Sequence, residues 1–168
     1  MIESGKFSEI SVIFLLFLVF SSPFMSGQES FNKSIKKNWF IQSSEKVTSP
    51  GMEISRAGFN CSSWFKTELP RTVMGALSEN KVYSDIFVGR NLSKIPEGQF
   101  KKSWWYRTEF RLEKGKSEQK NCILEFDGIN YRANIWLNGK LIADSNSVFG
   151  SFCRFSFDIS DYADYDGL

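Results

Sequence analysis

A chain of 168 residues with a formal charge of +2, 42% hydrophobic and 16% aromatic, has the composition of one packed domain. It is neither polar enough for disorder nor basic enough for nucleic-acid binding. It holds no histidine, which excludes a Ser-His-Asp or Cys-His nucleophile system and any His-ligated zinc within the chain.

Residues 10–20 form an apolar run of 11, too short for the roughly 20 residues of a membrane-spanning helix. Lys6 stands before the run and the small residues Ser26 and Gly27 follow it, so 1–27 is expected to be a cleaved secretory signal. The mature chain would then be secreted or periplasmic, with no membrane attachment. No cysteine follows the run closely, which argues against a lipid anchor. Removing Lys6, Glu3 and Glu9 brings the charge to +3.

Residues 28–38 are a polar leader, and 39–168 are expected to form the domain. Its first strands are predicted at 39–42 and 45–47, with a turn at Ser49-Pro-Gly51. After Pro70, Thr72 is placed to cap a short helix over 73–79, with Val73, Met74, Ala76 and Leu77 apolar. The stretch 81–102, broken by Gly89, Pro96 and Gly98, is long for a connection in a compact domain. From Trp104 to Leu112 the residues alternate. Tyr106, Thr108, Phe110 and Leu112 face one way and Trp105, Arg107, Glu109 and Arg111 the other, as in a half-buried strand. A turn is predicted at 114–117 and a strand at 122–126. Asn138-Gly139 between Ile135-Trp-Leu137 and Lys140-Leu-Ile-Ala143 marks a hairpin, since both residues tolerate the positive φ of a type I′ turn. Residues 152–159 alternate again, with Cys153, Phe155, Phe157 and Ile159 on one face, and Ser160 is placed to cap a helical turn at 161–163. Many short strands and little helix predict an all-β antiparallel β-sandwich. The turn at Asp166-Gly167 leads to Leu168, where another strand should begin, so the sandwich is expected to be truncated at its C-terminal end. Cys61, Cys122 and Cys153 fit no metal motif. Buried thiols are one reading of them, and one disulfide with a thiol left over is the other.

Several segments together carry a resemblance. They are Gly58-Phe59, Trp64, Leu69-Pro-Arg-Thr-Val73, Asn80, Tyr83-Ser-Asp85, Phe87, Gly89 and Asn91-Leu92. They continue with Ser103-Trp-Trp-Tyr-Arg-Thr-Glu-Phe110, Gly128-Ile-Asn-Tyr-Arg-Ala-Asn-Ile-Trp-Leu-Asn-Gly-Lys140, Gly150 and Phe157-Asp-Ile159. This set resembles the N-terminal sugar-binding domain of family 2 glycoside hydrolases, nearest to the β-mannosidase and exo-β-D-glucosaminidase branch. The resemblance implies a jelly-roll, galactose-binding-like sandwich ahead of an immunoglobulin-like domain and a TIM barrel. The barrel of such an enzyme carries the two glutamates of a retaining mechanism on a carbohydrate substrate. None of that catalytic machinery falls in these residues, and no cofactor, metal or nucleic acid is implied.

Within the domain, Asp85 and Asn91 are candidates for holding sugar hydroxyls, the alternative being Asx turns that stabilise their own loop. Trp104 and Trp105 are candidates for a platform under the apolar face of a pyranose, the alternative being packing. Arg107 and Glu109 read as a solvated or cross-strand pair, or as a buried bridge to Asp127. Sequons stand at Asn32, Asn60 and Asn91. The chain is thus expected to support a secreted glycosidase acting on terminal β-linked mannosyl or glucosaminyl units. Its rivals are a free-standing carbohydrate-binding module and an adhesive surface domain.

Overall fold

The computed structural model describes residues 32–112 and 121–162. The chain divides into two units, Met1–Ser34 and Ile35–Leu168, and every strand and helix of the described residues lies in the second. The expected signal (1–27) and the turns at 114–117 and 166–167 lie outside the described residues. Among the described residues, no helix is long and apolar enough to cross a membrane.

A three-stranded antiparallel sheet organises the first half. Strand β1 (Trp39–Ser43) lies between β2 (Phe65–Thr67) and β3 (Trp104–Arg107). Ile41 stands opposite Phe65 on one side and Tyr106 on the other, while Phe40 stands opposite Arg107. Because side chains alternate along a strand, Ile41, Ser43, Thr67, Trp104 and Tyr106 share one face, and Phe40, Gln42, Trp105 and Arg107 the other. Both faces are covered. Helix α2 (Val73–Glu79) supplies the fully buried Ala76 and Leu77, and its Glu79 carboxylate accepts from the Thr67 hydroxyl of the first face. Thr72 caps α2 as expected, accepting from the Gly75 N–H at 3.1 Å. On the second face, Ile54, Cys61 and Trp64 form a core against Phe40, Val47, Phe59 and Trp105. Side chains of this size contribute roughly 1.5–3 kcal/mol each when fully buried.

Two further antiparallel pairs follow. They are β4 (Ile123–Phe126) with β7 (Phe155–Asp158), and the hairpin β5 (Ile135–Leu137) with β6 (Lys140–Ala143). At the hairpin tip Asn138 has φ 49° and Gly139 φ 85°, the two positive angles the Asn-Gly pair predicts. The tip docks on α1 (Gly51–Ile54) and its C-terminal neighbour, where Gly139 N–H donates to the Ser55 hydroxyl at 2.9 Å. The Asn138 amide donates to the Tyr162 carbonyl at 2.9 Å.

Four expectations change. Residues 45–47 form no strand: the chain makes a 3-10 turn over Ser44–Lys46, with the Ser43 hydroxyl accepting from the Glu45 N–H. The turn at 49–51 opens α1, with Pro50 holding the extended N-cap. The strand from Trp104 stops at Arg107, because Asn38, at φ 60°, turns the chain just before the start of β1, and the Thr108 hydroxyl donates to the Asn38 carbonyl. The last strand begins at Phe155, since Phe152 has φ 63° and is fully exposed. The cysteines are thiols at three depths: Cys61 buried, Cys122 half-buried and Cys153 exposed.

Candidate functional site

In the loop after α2, Ile86 is the buried apolar residue. Around it Phe87 is 89% exposed, Val88 63% and Leu92 53%. The loop is held by its own hydrogen bonds. Asp85, at φ 50°, accepts at its carbonyl from the Val88 N–H (2.9 Å) and from the Asn91 amide (3.1 Å). The Asn91 amide oxygen in turn accepts from the Lys94 ammonium at 3.2 Å. Both ends of the Asn91 amide are therefore engaged within the loop. The Asp85 carboxylate has no hydrogen bond or ion pair among the described residues, which leaves it available to hydroxyls. Two 3-10 turns, Leu92–Lys94 and Glu97–Lys101, carry the chain on to β3.

The two tryptophans separate as strand alternation requires. Trp105 packs on the Ile54, Cys61 and Trp64 core. Trp104 lies on the other face, where its indole N–H donates to the Gln99 carbonyl at 2.9 Å. Its ring lines a shallow cleft of about 140 Å³ with Ser43, Phe65, Leu77, Val82 and Gln99. That volume is below the roughly 300–1,000 Å³ of ordinary ligand pockets. Asp85, Asn91 and Lys94 thus come together on one loop, while Trp104 and Trp105 stand apart on opposite faces of the sheet. Phe87 and Lys94 are additional candidates in that loop. The signal for Phe87 was the apolar triplet Ile86-Phe-Val88 in a polar stretch, of which one residue alone goes inside. Lys94 left no comparable mark, since a lysine near a sequon looks like any solvated charge.

Arg107 and Glu109 belong to the architecture. The Arg107 guanidinium is buried and donates to the Ile54 carbonyl (2.7 Å), the Arg56 carbonyl (2.8 Å) and the Glu109 carboxylate. It also lies 5.7 Å from the Phe59 ring centroid. Glu109 accepts from the Gly58 N–H at 2.8 Å, and the Arg107 hydrogen bond holds its carboxyl below the usual range. Burial pushes the neighbouring Cys61 thiol up. The bridge to Asp127 does not form: Asp127 pairs with Arg154 at 3.5 Å on the surface. Five other carboxylates of the described residues are likewise tied to structural partners. Glu45 pairs with Lys102, Glu79 with Arg71 and Glu97 with Lys101, while Asp144 and Asp158 hold neighbouring serines.

Comparison with known proteins extends this picture. The family model described as glycosyl hydrolase 2 galactose-binding domain-like matches residues 23–167. An exo-β-D-glucosaminidase of Amycolatopsis orientalis is 32% identical over 138 residues, covering 82% of this chain and 13% of that protein. A mannosylglycoprotein endo-β-mannosidase of Lilium longiflorum is 35% identical over 109 residues, covering 62% of this chain and 11% of that protein. Among solved structures, the exo-chitosanase CsxA of Amycolatopsis orientalis superimposes with a TM-score of 0.72 at 30% identity, over 80% of this chain and 15% of that one. The chain therefore spans about an eighth of the length of the glucosaminidase it matches. With its antiparallel strands and few helical turns, it belongs to the glycosyl hydrolase 2 galactose-binding domain-like family.

Proposed function

We propose that this chain serves as the sugar-facing support domain of a secreted or periplasmic family 2 glycosidase. The enzyme hydrolyses terminal β-linked mannosyl or glucosaminyl units with retention of configuration. Beside this domain stand the immunoglobulin-like and barrel domains of such an enzyme, and the barrel supplies both catalytic carboxylates. Retaining hydrolysis needs two carboxyl groups about 5–5.5 Å apart, one acid and one nucleophile. Among the described residues Glu45, Glu79, Glu97, Glu109, Asp144 and Asp158 are instead spent one by one on lysines, arginines and serines. The observation that carries the sugar-facing role is the loop from Asp85 to Lys94. It carries an unpartnered carboxylate and, two residues on, an exposed phenyl ring, the two group types that take a sugar's hydroxyls and its C–H face.

Two assays test this. The polypeptide alone is expected to hydrolyse neither p-nitrophenyl β-D-glucosaminide nor p-nitrophenyl β-D-mannoside. Put in place of the matching segment of the Amycolatopsis orientalis exo-β-D-glucosaminidase, it is expected to yield an active enzyme. Turnover by the isolated chain that disappears on replacing one of its carboxylates would overturn the proposal. So would a folded chimaera inactive on both substrates.

A further inference from the structure

A β-linked glucosaminyl unit and a β-linked mannosyl unit differ at C2 in configuration and in charge: the first carries an equatorial amine, cationic when protonated, and the second an axial hydroxyl. The loop offers a group that separates them. The Lys94 ammonium rests on the Asn91 amide oxygen at 3.2 Å, and the Asn91 amide holds the Asp85 carbonyl at 3.1 Å. Asn91 thus ties the ammonium to the same short loop as the free carboxylate and the exposed Phe87 ring. No carboxylate pairs with Lys94 among the described residues, whereas Lys101 and Lys102 are neutralised by Glu97 and Glu45. Arg90, also exposed, lies in the same turn, with its carbonyl accepting from the Ser93 hydroxyl at 2.8 Å. Opposing these cations inside the loop stands the Asp85 carboxylate.

We infer that Lys94 is a specificity-determining residue that turns the loop against a cationic amino sugar and toward an uncharged terminal unit of the mannosyl type. The inference rests on the sugar-facing reading of the loop given above. Two like charges a few ångströms apart in water repel by an amount equivalent to about a fivefold change in an equilibrium or rate constant. Salt screens that repulsion. The ammonium's own partner is a neutral amide, so its charge is undiminished at the loop surface.

The test uses the chimaera described above and compares kcat/KM for p-nitrophenyl β-D-glucosaminide with that for p-nitrophenyl β-D-mannoside. Lys94→Gln is expected to raise the glucosaminide-to-mannoside ratio about fivefold at low salt, and Lys94→Glu, which reverses the charge, to raise it further. Raising the salt to about 0.3 M is expected to narrow the spread among the three ratios. An active chimaera whose ratio is unmoved by either substitution overturns the assignment of Lys94 and leaves the support role standing. A second graft, carrying residues 81–102 alone in the same glucosaminidase, covers the case in which the whole-domain graft does not fold, and is read by the same ratio. Grafts that fold and cleave neither substrate overturn the sugar-facing reading and this inference together.

Discussion

Arg107 shows what one side chain does when its polar groups are taken out of water. Its fork satisfies the carbonyl of Ile54, the last residue of α1, that of Arg56 just beyond it and one carboxylate, and its flat face lies toward Phe59. An ammonium cannot serve three acceptors spread in that plane. Arg107→Lys is therefore expected to cost about 2 kcal/mol, read from the urea midpoint at constant slope. An unchanged midpoint would mean that the carbonyls find water instead. Glu109 makes a pH-dependent contribution. Its folded carboxyl titrates below the unfolded one, so its stabilisation is present above the unfolded value of about 4.3 and fades as pH falls through the folded value. The stability gap between the parent and Glu109→Gln is accordingly expected to be widest near neutrality and to shrink as the medium is made acid, by urea unfolding at several pH values. The effect is modest, because half of the Glu109 side chain remains in solvent.

At the scale of elements, the junction of α1 with the β5–β6 hairpin depends on a missing side chain. A Cβ on Gly51 would stand 2.5 Å from the Trp136 ring. Gly51→Ala is expected to cost about 1–3 kcal/mol by overpacking, and markedly less in a Trp136→Leu background, where the obstructing ring is gone. Equal costs in the two backgrounds would place the strain elsewhere. Trp136 also illustrates what could be read from the residues. That it packs was visible from its apolar neighbours, and the hairpin from Asn138-Gly139, because turn chemistry is local. The strand over 39–42 and the helix over 73–79 were equally legible, each marked by its own pattern or cap. Length was not. The alternation from Trp104 to Leu112 continues past the point where the ladder loses its partner, and only Asn38, far away in sequence, decides where that happens. The inward turn of Arg107 was hidden too, since a charged residue on an alternating strand reads as solvated until its three acceptors are known. In the candidate site, Asp85 and Asn91 were found by their chemistry. That Asn91 spends its amide on its own loop depends on a fold over residues 85–94 that no spacing rule encodes.

Across the whole molecule, protection is expected to be uneven. Strand β1 is paired on both sides and covered on both faces, whereas β4 and β7, among the described residues, pair with one another alone. Amide hydrogen exchange should be slowest along Ile41–Ser43 and faster by orders of magnitude at Ile123–Phe126. Comparable rates would make the two regions one cooperative unit. The hairpin tip binds distant parts of the chain together: through Gly139 it holds Ser55, and through Asn138 it holds Tyr162. Lys140 adds its ammonium 5.3 Å from the Tyr162 ring. Exposed hairpin tips are where a protein engineer would ordinarily splice in a tag or a fluorescent reporter. Here that address is already taken: a splice between Asn138 and Gly139 would prise two remote segments loose, while Gly98 and Gly128, with open space where a side chain would go, leave room for a passenger.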